Sequence, residues 1–462
     1  MLSLGSCSPP PADHTAAGEL AASEPVPFSL DELQERTFHY FWDLALPGHF
    51  QVPDRWPKET FTSIAATGFG LTAYIVGVER GYVTREAAAE RTAATLRALW
   101  AFPQGEAAAG VSGYRGLFYH FLTYDAASVR FKDVELSTID TGLLMAGVLS
   151  AQSYYDGDTE VEREIRELAD ALYRRVEWDW MLNDDGRISM GYRPERGFIE
   201  ADWHGYNEAM VLLVLAMGSP THPIPDNSWD LWCATYDWDT FYGYEHLNFD
   251  PLFGHQYSQM YIDFRGIQDA FMAGKGSDYF ENSRQATLAN RAYCIDNPHQ
   301  FAGYGEHCWG LTACDGPANT EATWKGKPVK FFTYRARGAA STQIVDDGTI
   351  APTAAGGSFP FAPEECEAAL AHMWTTYYDQ LVGEYGFRDA FNMTYPACDD
   401  CEGGWFDDDY LGIDQGPILI QIENHRSGLI WDVMKRNPYI RRGLERAGFK
   451  GGWLEETSEK SI

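Results

Sequence analysis

Ser137-Thr138-Ile139-Asp140-Thr141-Gly142-Leu143-Leu144-Met145-Ala146-Gly147-Val148-Leu149 is the stretch on which the architecture turns. Ser137 and Asp140 have the spacing of a capping box, which opens a helix, and the residues that follow are apolar on almost every face. A helix with no polar face must be buried on all sides. Ala209 to Met217 reads the same way, whereas Thr159 to Val176 is amphipathic. Buried helices alternating with amphipathic ones, without a boundary-like linker, predict an inner ring wrapped by an outer ring. The expected class is all-α, an α/α toroid built as one domain.

Outward from that segment, helical patterns recur at Ser63 to Arg80, Arg85 to Trp100, Ser137 to Tyr154, Glu208 to Met217, Tyr257 to Ala273, Ser283 to Ile295, Pro363 to Val382 and Gly416 to Lys435. Ser29-Leu30-Asp31-Glu32 and Thr159-Glu160-Val161-Glu162 are two further capping boxes. Period-2 alternation is confined to a hairpin expected around Asn183 to Tyr192. The stretches Gly218 to Gly254 and Phe301 to Pro360 are too long for simple connections and are expected to build a cleft. Residues 28–450 form the expected domain, and residues 451–462 a C-terminal tail. Residues 1–27 read as a lipoprotein-like leader remnant and flexible linker, because Leu4-Gly5-Ser6-Cys7 has the small-residue pattern of a lipoprotein cleavage site. That pattern predicts export, to the periplasm or to an outer-membrane anchor through a lipidated Cys7.

Composition narrows the partners. Asp and Glu number 67 against 35 Lys and Arg, a formal charge of −32, which repels phosphate backbones and anionic polymers. Nucleic acid and acidic polysaccharide are disfavoured, and a neutral ligand and a monomeric state are expected. Trp, Tyr and Phe make up 15% of the chain, and many stand in polar, glycine-rich runs such as Trp203-His204-Gly205-Tyr206, where flat faces suit sugar rings. No run approaches the roughly 20 apolar residues of a membrane span. Without Cys7 the seven remaining cysteines are odd in number, so at least one thiol stays unpaired. Cys398-Asp399-Asp400-Cys401 is half of a zinc site with no second half, so no metal and no cofactor are expected.

Three acids recur at or near the start of an apolar helix: Asp140, Glu208 in Gly205-Tyr206-Asn207-Glu208, and Asp414 in Gly412-Ile413-Asp414-Gln415-Gly416-Pro417. In a toroid, inner helices that start at one end bring such carboxylates together. Each also has a structural reading, since Asp140 completes a capping box, Asp414 can cap its helix and Glu208 suits a first turn. Glu208 resists that reading because Ala209-Met210-Val211-Leu212-Leu213 follows it, and burial raises an acid's pKa. Glycosidic hydrolysis needs one such acid to protonate the leaving oxygen and a second carboxylate to activate water.

Phe118-Tyr119-His120-Phe121, Glu135 to Thr141, Trp203 to Ala209, Ser219 to Pro223, Gly310 to Ala313, Asp347 to Ala354 and Gly412 to Pro417 stand in one order. In these motifs the chain resembles, over nearly all of its length after Phe28, the bacterial glycoamylase-like proteins that include the endo-β-1,2-glucanases of glycoside hydrolase family 144. The resemblance implies an (α/α)6 toroid and an inverting endo-hydrolysis of β-1,2-glucan to sophoro-oligosaccharides. It implies Glu208 as general acid and a late carboxylate as base, placed on Asp414 with Asp389 as the rival. Asp140 and Glu135 match acids of the family cleft, and Cys398 to Cys401 looks like an insertion. His120, Trp203, Tyr206, Gln259, Arg265, Glu306, Trp309 and Glu423 are candidate subsite residues, although Arg265 can equally pair with Asp263 and Glu423 can cap a loop. Exo action, transglycosylation, a non-catalytic glucan-binding lipoprotein and a polysaccharide lyase are the competing readings, the last disfavoured by the charge.

Overall fold

The computed structural model describes residues 26–396 and 403–455. The Cys7 pattern and the Cys398 to Cys401 segment lie outside the described residues. The first part of the chain carries helices α1 (Leu30–Asp43), α2 (Ile64–Glu79), α3 (Arg85–Ala101), α4 (Thr138–Tyr154), α5 (Glu160–Arg174), α6 (Met210–Gly218), α7 (Ser228–Cys233), α8 (Phe253–Tyr261), α9 (Ala270–Lys275) and α10 (Tyr279–Asp296). The second carries α11 (Pro352–Gly356), α12 (Pro363–Thr376), α13 (Tyr378–Leu381), α14 (Gly412–Ser427), α15 (Leu429–Lys435) and α16 (Pro438–Arg446).

Helix α2 packs on α4, α4 on α6, α6 on α8, α8 on α14, and α14 returns to α2, so the buried helices close a ring. Short α11 is wedged beside α14, tied to α8 by Gln256 Nε2, which donates to Ala354 O at 2.9 Å. Around the ring lie α1 against α14 and α2, α3 against α2, α5 against α4, α16 against α6, α10 against α8 and α12 against α11. The apolar faces explain the order: α6 is buried at every residue, whereas α5 buries only one stripe.

Two glycines set the tightest contact of the ring. A Cβ on Gly68 of α2 would stand 2.5 Å from Leu143 O, and one on Gly147 of α4 only 2.1 Å from Gly68 O. Only hydrogen fits there. Thr72 Oγ1, Ser150 Oγ and Tyr261 OH, within 3.3 Å in the same core, satisfy one another.

The inner helices start at one rim. Ser63 caps α2 by accepting from Ala66 N at 3.2 Å, and Ser137 caps α4 by accepting from Asp140 N at 3.2 Å. Short antiparallel pairs brace this rim, among them Phe61–Ser63 with Phe121–Thr123, Leu136–Ser137 with Gly191–Arg193 and Arg55–Trp56 with Tyr410–Leu411.

Several expected boundaries move. Tyr257 to Ala273 is not one helix: α8 stops at Tyr261 and α9 begins at Ala270, capped by Asp269. Gly416 to Lys435 likewise splits at Gly428, which takes φ +71 and ends α14. The expected hairpin forms as a short one, with Leu182 bridging Ile188 antiparallel across the Asn183 to Arg187 turn, and its far end, Gly191–Arg193, goes on to pair with Leu136–Ser137 and Gly197–Phe198. The stretch from 301 to 360 holds α11 and the hairpin Thr320–Trp324 with Lys327–Phe331, and the 218–254 stretch holds α7 and the hairpin Trp238–Phe241 with Tyr244–Leu247. At the end, Trp453 is buried and its Nε1 donates to Asp263 O at 2.8 Å, so the start of the tail packs on the domain.

Candidate functional site

A cleft of two adjoining chambers opens where the inner helices begin. The larger, about 310 Å³, is lined by Asp54, Arg55, Phe61, Ser63 and Phe121. The smaller, about 180 Å³, is lined by Glu208, Leu143, Phe253 and Tyr257. His120, Asp140, Tyr334 and Ile413 line both. Together the chambers fall in the roughly 300–1,000 Å³ range of ligand clefts. The first turns of α2, α4 and α14 all reach this space, so the positive ends of helix dipoles face a cleft rich in carboxylates.

Glu208 stands just before α6, on a loop that its neighbours fix. Gly205 takes φ +68, open to glycine, and Asn207 Oδ1 accepts from Ala209 N at 3.0 Å. Ser258 Oγ of α8 donates to Glu208 O at 2.9 Å and accepts from Val211 N at 2.9 Å. One carboxyl oxygen is left free: Glu208 Oε2 is buried without a hydrogen-bond partner. Burial pushes its pKa up to about 7, and the charge of Asp140 adds to that, against a lowering backbone hydrogen bond. A carboxyl half-protonated near neutrality and aimed into a cleft can deliver a proton.

Beside it runs a chain of charges. Glu135 Oε1 binds His120 Nδ1 at 3.0 Å, and His120 Nε2 lies 3.5 Å from Asp140 Oδ1. Burial opposes the His120 cation, but Asp140 and Glu135 outweigh it and bring the imidazole up to about 9. Burial also opposes the Glu135 carboxylate, which His120 and Arg193 hold down at about 2. Asp140 is pushed up, chiefly by burial. Ser137 makes the helix cap, and its hydroxyl donates to Asp140 Oδ2.

Asp414 is not an N-cap. The cap position of α14 is Leu411, which offers no side-chain bond, and Asp414 sits in the first turn. What holds it is backbone, since Thr353 Oγ1 donates to Asp414 O at 2.9 Å. Its side chain instead meets Asp389, and the two former rivals form one hydrogen-bonded carboxyl pair. Two buried carboxyls in contact cannot both ionise. Burial and the Asp414 charge push Asp389 well above the usual range, so the pair retains a proton that two exposed carboxylates would lose. Burial raises Asp414 too, against the Asp389 hydrogen bond. Asp315 N donates to Asp389 Oδ2 at 2.7 Å, while Asp389 Oδ1 and Asp414 Oδ2 are buried with no partner outside the pair.

Behind this pair Asp315, Asp407 and Asp409 each bring an oxygen within 4.8 Å of the others. Oxygen donors of that kind suit a hard divalent cation, yet protein cations already serve two of them. Arg55 Nη1 lies 2.8 Å from Asp315 and 3.3 Å from Asp409, and Lys58 Nζ 2.8 Å from Asp409. Burial lifts Asp54 to about 6 and, with Asp389 and Asp315 beside it, Asp407 to about 8. Sequence reasoning missed Asp54, Arg55, Asp315, Asp407, Asp409, Tyr257 and Tyr334. Asp407-Asp408-Asp409 looks like a solvated charge run, and only the fold turns Asp407 and Asp409 inward.

Of the other sequence candidates, the structure brings His120, Asp140 and Glu135 together and leaves the rest elsewhere. Trp203 donates from Nε1 to Thr138 Oγ1 at 2.9 Å within the core, and Tyr206 is buried against Trp232, His255 and Tyr279. Gln259 Nε2 is bound to Tyr279 O and Ser283 Oγ, and Trp309 is fully buried. Arg265 pairs with both oxygens of Asp263 at 2.7 and 2.8 Å and covers Trp431. Glu306 pairs with Arg291 at 3.2 Å on the surface. Glu423, nine residues beyond Asp414 on α14 and thus about 13 Å along it, is held by Arg80, Gln34 and Ser427 at a separate groove.

Known proteins share this organisation. The model of the Glycoamylase family, described as “Putative glucoamylase”, matches residues 200–438. An exo β-1,2-glucooligosaccharide sophorohydrolase (non-reducing end) of Parabacteroides distasonis is 30% identical over 451 residues, 90% of this chain and 57% of that protein. The chain thus spans little more than half the length of this curated relative. Among solved structures, an endo-β-1,2-glucanase of Chitinophaga pinensis in complex with sophorotriose and glucose is 29% identical, with a TM-score of 0.79 over 92% of this chain and 100% of that one. A “putative glucoamylase” of Bacteroides uniformis is 34% identical, with a TM-score of 0.79 over 93% of this chain and 99% of that one.

Proposed function

Since the chain belongs to the Glycoamylase family, we propose that it is a glycoside hydrolase cutting β-1,2-glucan by acid and base carboxylates on an (α/α)6 toroid. The observation that carries this is two buried carboxyls with raised pKa values near Tyr257, Glu208 on the smaller chamber and Asp414 paired with Asp389. Glu208, raised to about 7, holds a proton for the leaving glycosidic oxygen. Asp414 takes the proton of the attacking water, with Asp389 as the protonated neighbour that keeps Asp414 ionised and oriented. Inversion follows from attack by water rather than by a carboxylate, and inverting carboxyls stand roughly 6.5–9.5 Å apart to leave room for it. Asp140 and His120 wall the space between the chambers and contact sugar hydroxyls.

The relatives' names divide on where the chain is cut, one exo and one endo. We keep endo-hydrolysis to sophoro-oligosaccharides as the primary reading and exo release of a disaccharide as the second. Long linear β-1,2-glucan separates them: an endo enzyme lowers viscosity early and yields a ladder, an exo enzyme yields one product from the start. Absence of any product would leave a glucan-binding protein. Fresh α-anomer by NMR tests inversion. Export with lipid attachment at Cys7 rests on the Leu4 to Cys7 pattern, and mass spectrometry of the mature N-terminus tests it. A monomer in light scattering is the expected state.

A further inference from the structure

Among the described residues, Tyr334 is the large aromatic that stands half in solvent, 51% exposed, and yet lines both chambers of the cleft. Single exposed aromatics on a surface need no explanation, but this one is held in place with unusual care. It follows the hairpin Thr320–Trp324 with Lys327–Phe331 and precedes Arg335–Ala336, which pairs with Ala313–Cys314. The two residues before it are pinned. Phe332 N donates to Asp347 Oδ2 at 3.0 Å, and Thr333 N to Asn319 Oδ1 at 3.1 Å.

The anchor of this loop is an ion pair with no exposure at all, Arg337 with Asp347, at 2.7 and 2.8 Å. A buried guanidinium is tolerated only when its donors are satisfied. Those of Arg337 bind Phe332 O at 3.1 Å, Thr333 O at 3.2 Å and Cys314 O at 2.9 Å. The same group therefore fixes the backbone below Tyr334 and the strand that leads to Asp315. No described residue binds the Tyr334 hydroxyl, and the ring stands close enough to Asp414, Asp389 and Asp54 to feel their charges.

We infer that Tyr334 is a specificity-determining platform: it stacks on the sugar ring that passes between the chambers and thereby sets the length of the released product. The inference rests on the β-glucan hydrolase reading. Glu208 fixes the cut in the smaller chamber, so sugars lying in the larger one sit on one side of that cut, beneath Tyr334. Removing the ring joins the two chambers into one trough and lets the chain slide in more than one register. An apolar ring face suits the axial C–H face of a sugar, and its loss weakens binding about tenfold.

The test compares wild type, Tyr334→Phe and Tyr334→Ala on linear β-1,2-glucan and on a ladder of its oligosaccharides. Product lengths are read by chromatography and oligosaccharide affinity by calorimetry. The Phe variant should keep the wild-type product pattern, because the ring does the stacking. In the Ala variant KM should rise about tenfold, by more than kcat falls, and the shortest product should change, with an unaltered melting temperature. An Ala variant with wild-type KM, affinity and product lengths would overturn the inference. If wild type cuts no glucan while Tyr334→Ala still weakens oligosaccharide binding, the hydrolase reading fails and the platform stands.

Discussion

Glu208→Gln separates the proton from the shape of the side chain. At an ordinary pKa of 4.5 a glutamate is protonated about once in 300 molecules at pH 7, whereas at about 7 half the molecules hold the proton. Gln keeps the volume but cannot donate to the leaving oxygen, and kcat/KM should fall roughly 10²–10⁴-fold. Stability should move the other way. A rise from 4.5 to about 7 corresponds to on the order of 3 kcal/mol at 1.36 kcal/mol per pH unit, and to less where cleft water screens the group. Because the folded pKa is raised, this stability is complete below pH 4.5 and is lost as pH climbs through about 7. Gln carries no such dependence. Calorimetry of both proteins at pH 4 and pH 8 should show the variant gaining a few degrees on wild type at pH 8 only. Activity above a tenth of wild type, or a melting difference that does not grow between the two pH values, would refute the assignment of Glu208 as a buried acid.

Asp414→Asn should be as damaging as Glu208→Gln while leaving the melting temperature near wild type, since Thr353 grips its backbone and no cap is lost; substantial activity would move the base to Asp389 or Asp140. Arg55→Met removes a charge that lowers the pKa of both Asp54 and Asp414, so the acid limb of the kcat/KM profile should shift to higher pH, and an unmoved limb would place the base outside its reach. Asp140→Asn removes a charge that raises Glu208, so the alkaline limb should shift to lower pH. EDTA should leave activity unchanged; a loss restored by calcium would assign a cation to Asp315, Asp407 and Asp409.

Helix existence was legible wherever a cap met an apolar run, as at Ser137 and Thr159, because both signals are local. Where helices meet end to end the apolar pattern runs on across the break, and at Gly428 the stop signal is a single glycine after the basic last turn of His425 and Arg426. Helix α11 was missed because five residues carry no period. In the site, Glu208 was legible through the apolar run behind it. The Asp389–Asp414 pairing was not, since it depends on the backbone around Asp389 bonding to Asp407 and Asp409, just ahead of α14, and no local pattern announces that. Trp203, Tyr206 and Gln259 show the converse. Their polar, aromatic neighbourhoods resemble a cleft on paper, but Thr138, Tyr279 and Ser283 absorb their hydrogen bonds inside the protein.

The Gly68–Gly147 crossing lies five residues below the Ser63 cap, about 7 Å down α2. A closed ring behaves like an arch, in which the width of each stone fixes the span of the opening. Widening one joint by a methyl group cannot be absorbed locally, because α14 must still reach back to α2. It reappears at the rim, as a changed spacing between the helix starts that carry Asp140, Glu208 and Asp414. The calibre of the cleft is thus set well beneath its surface, at a joint no substrate ever touches.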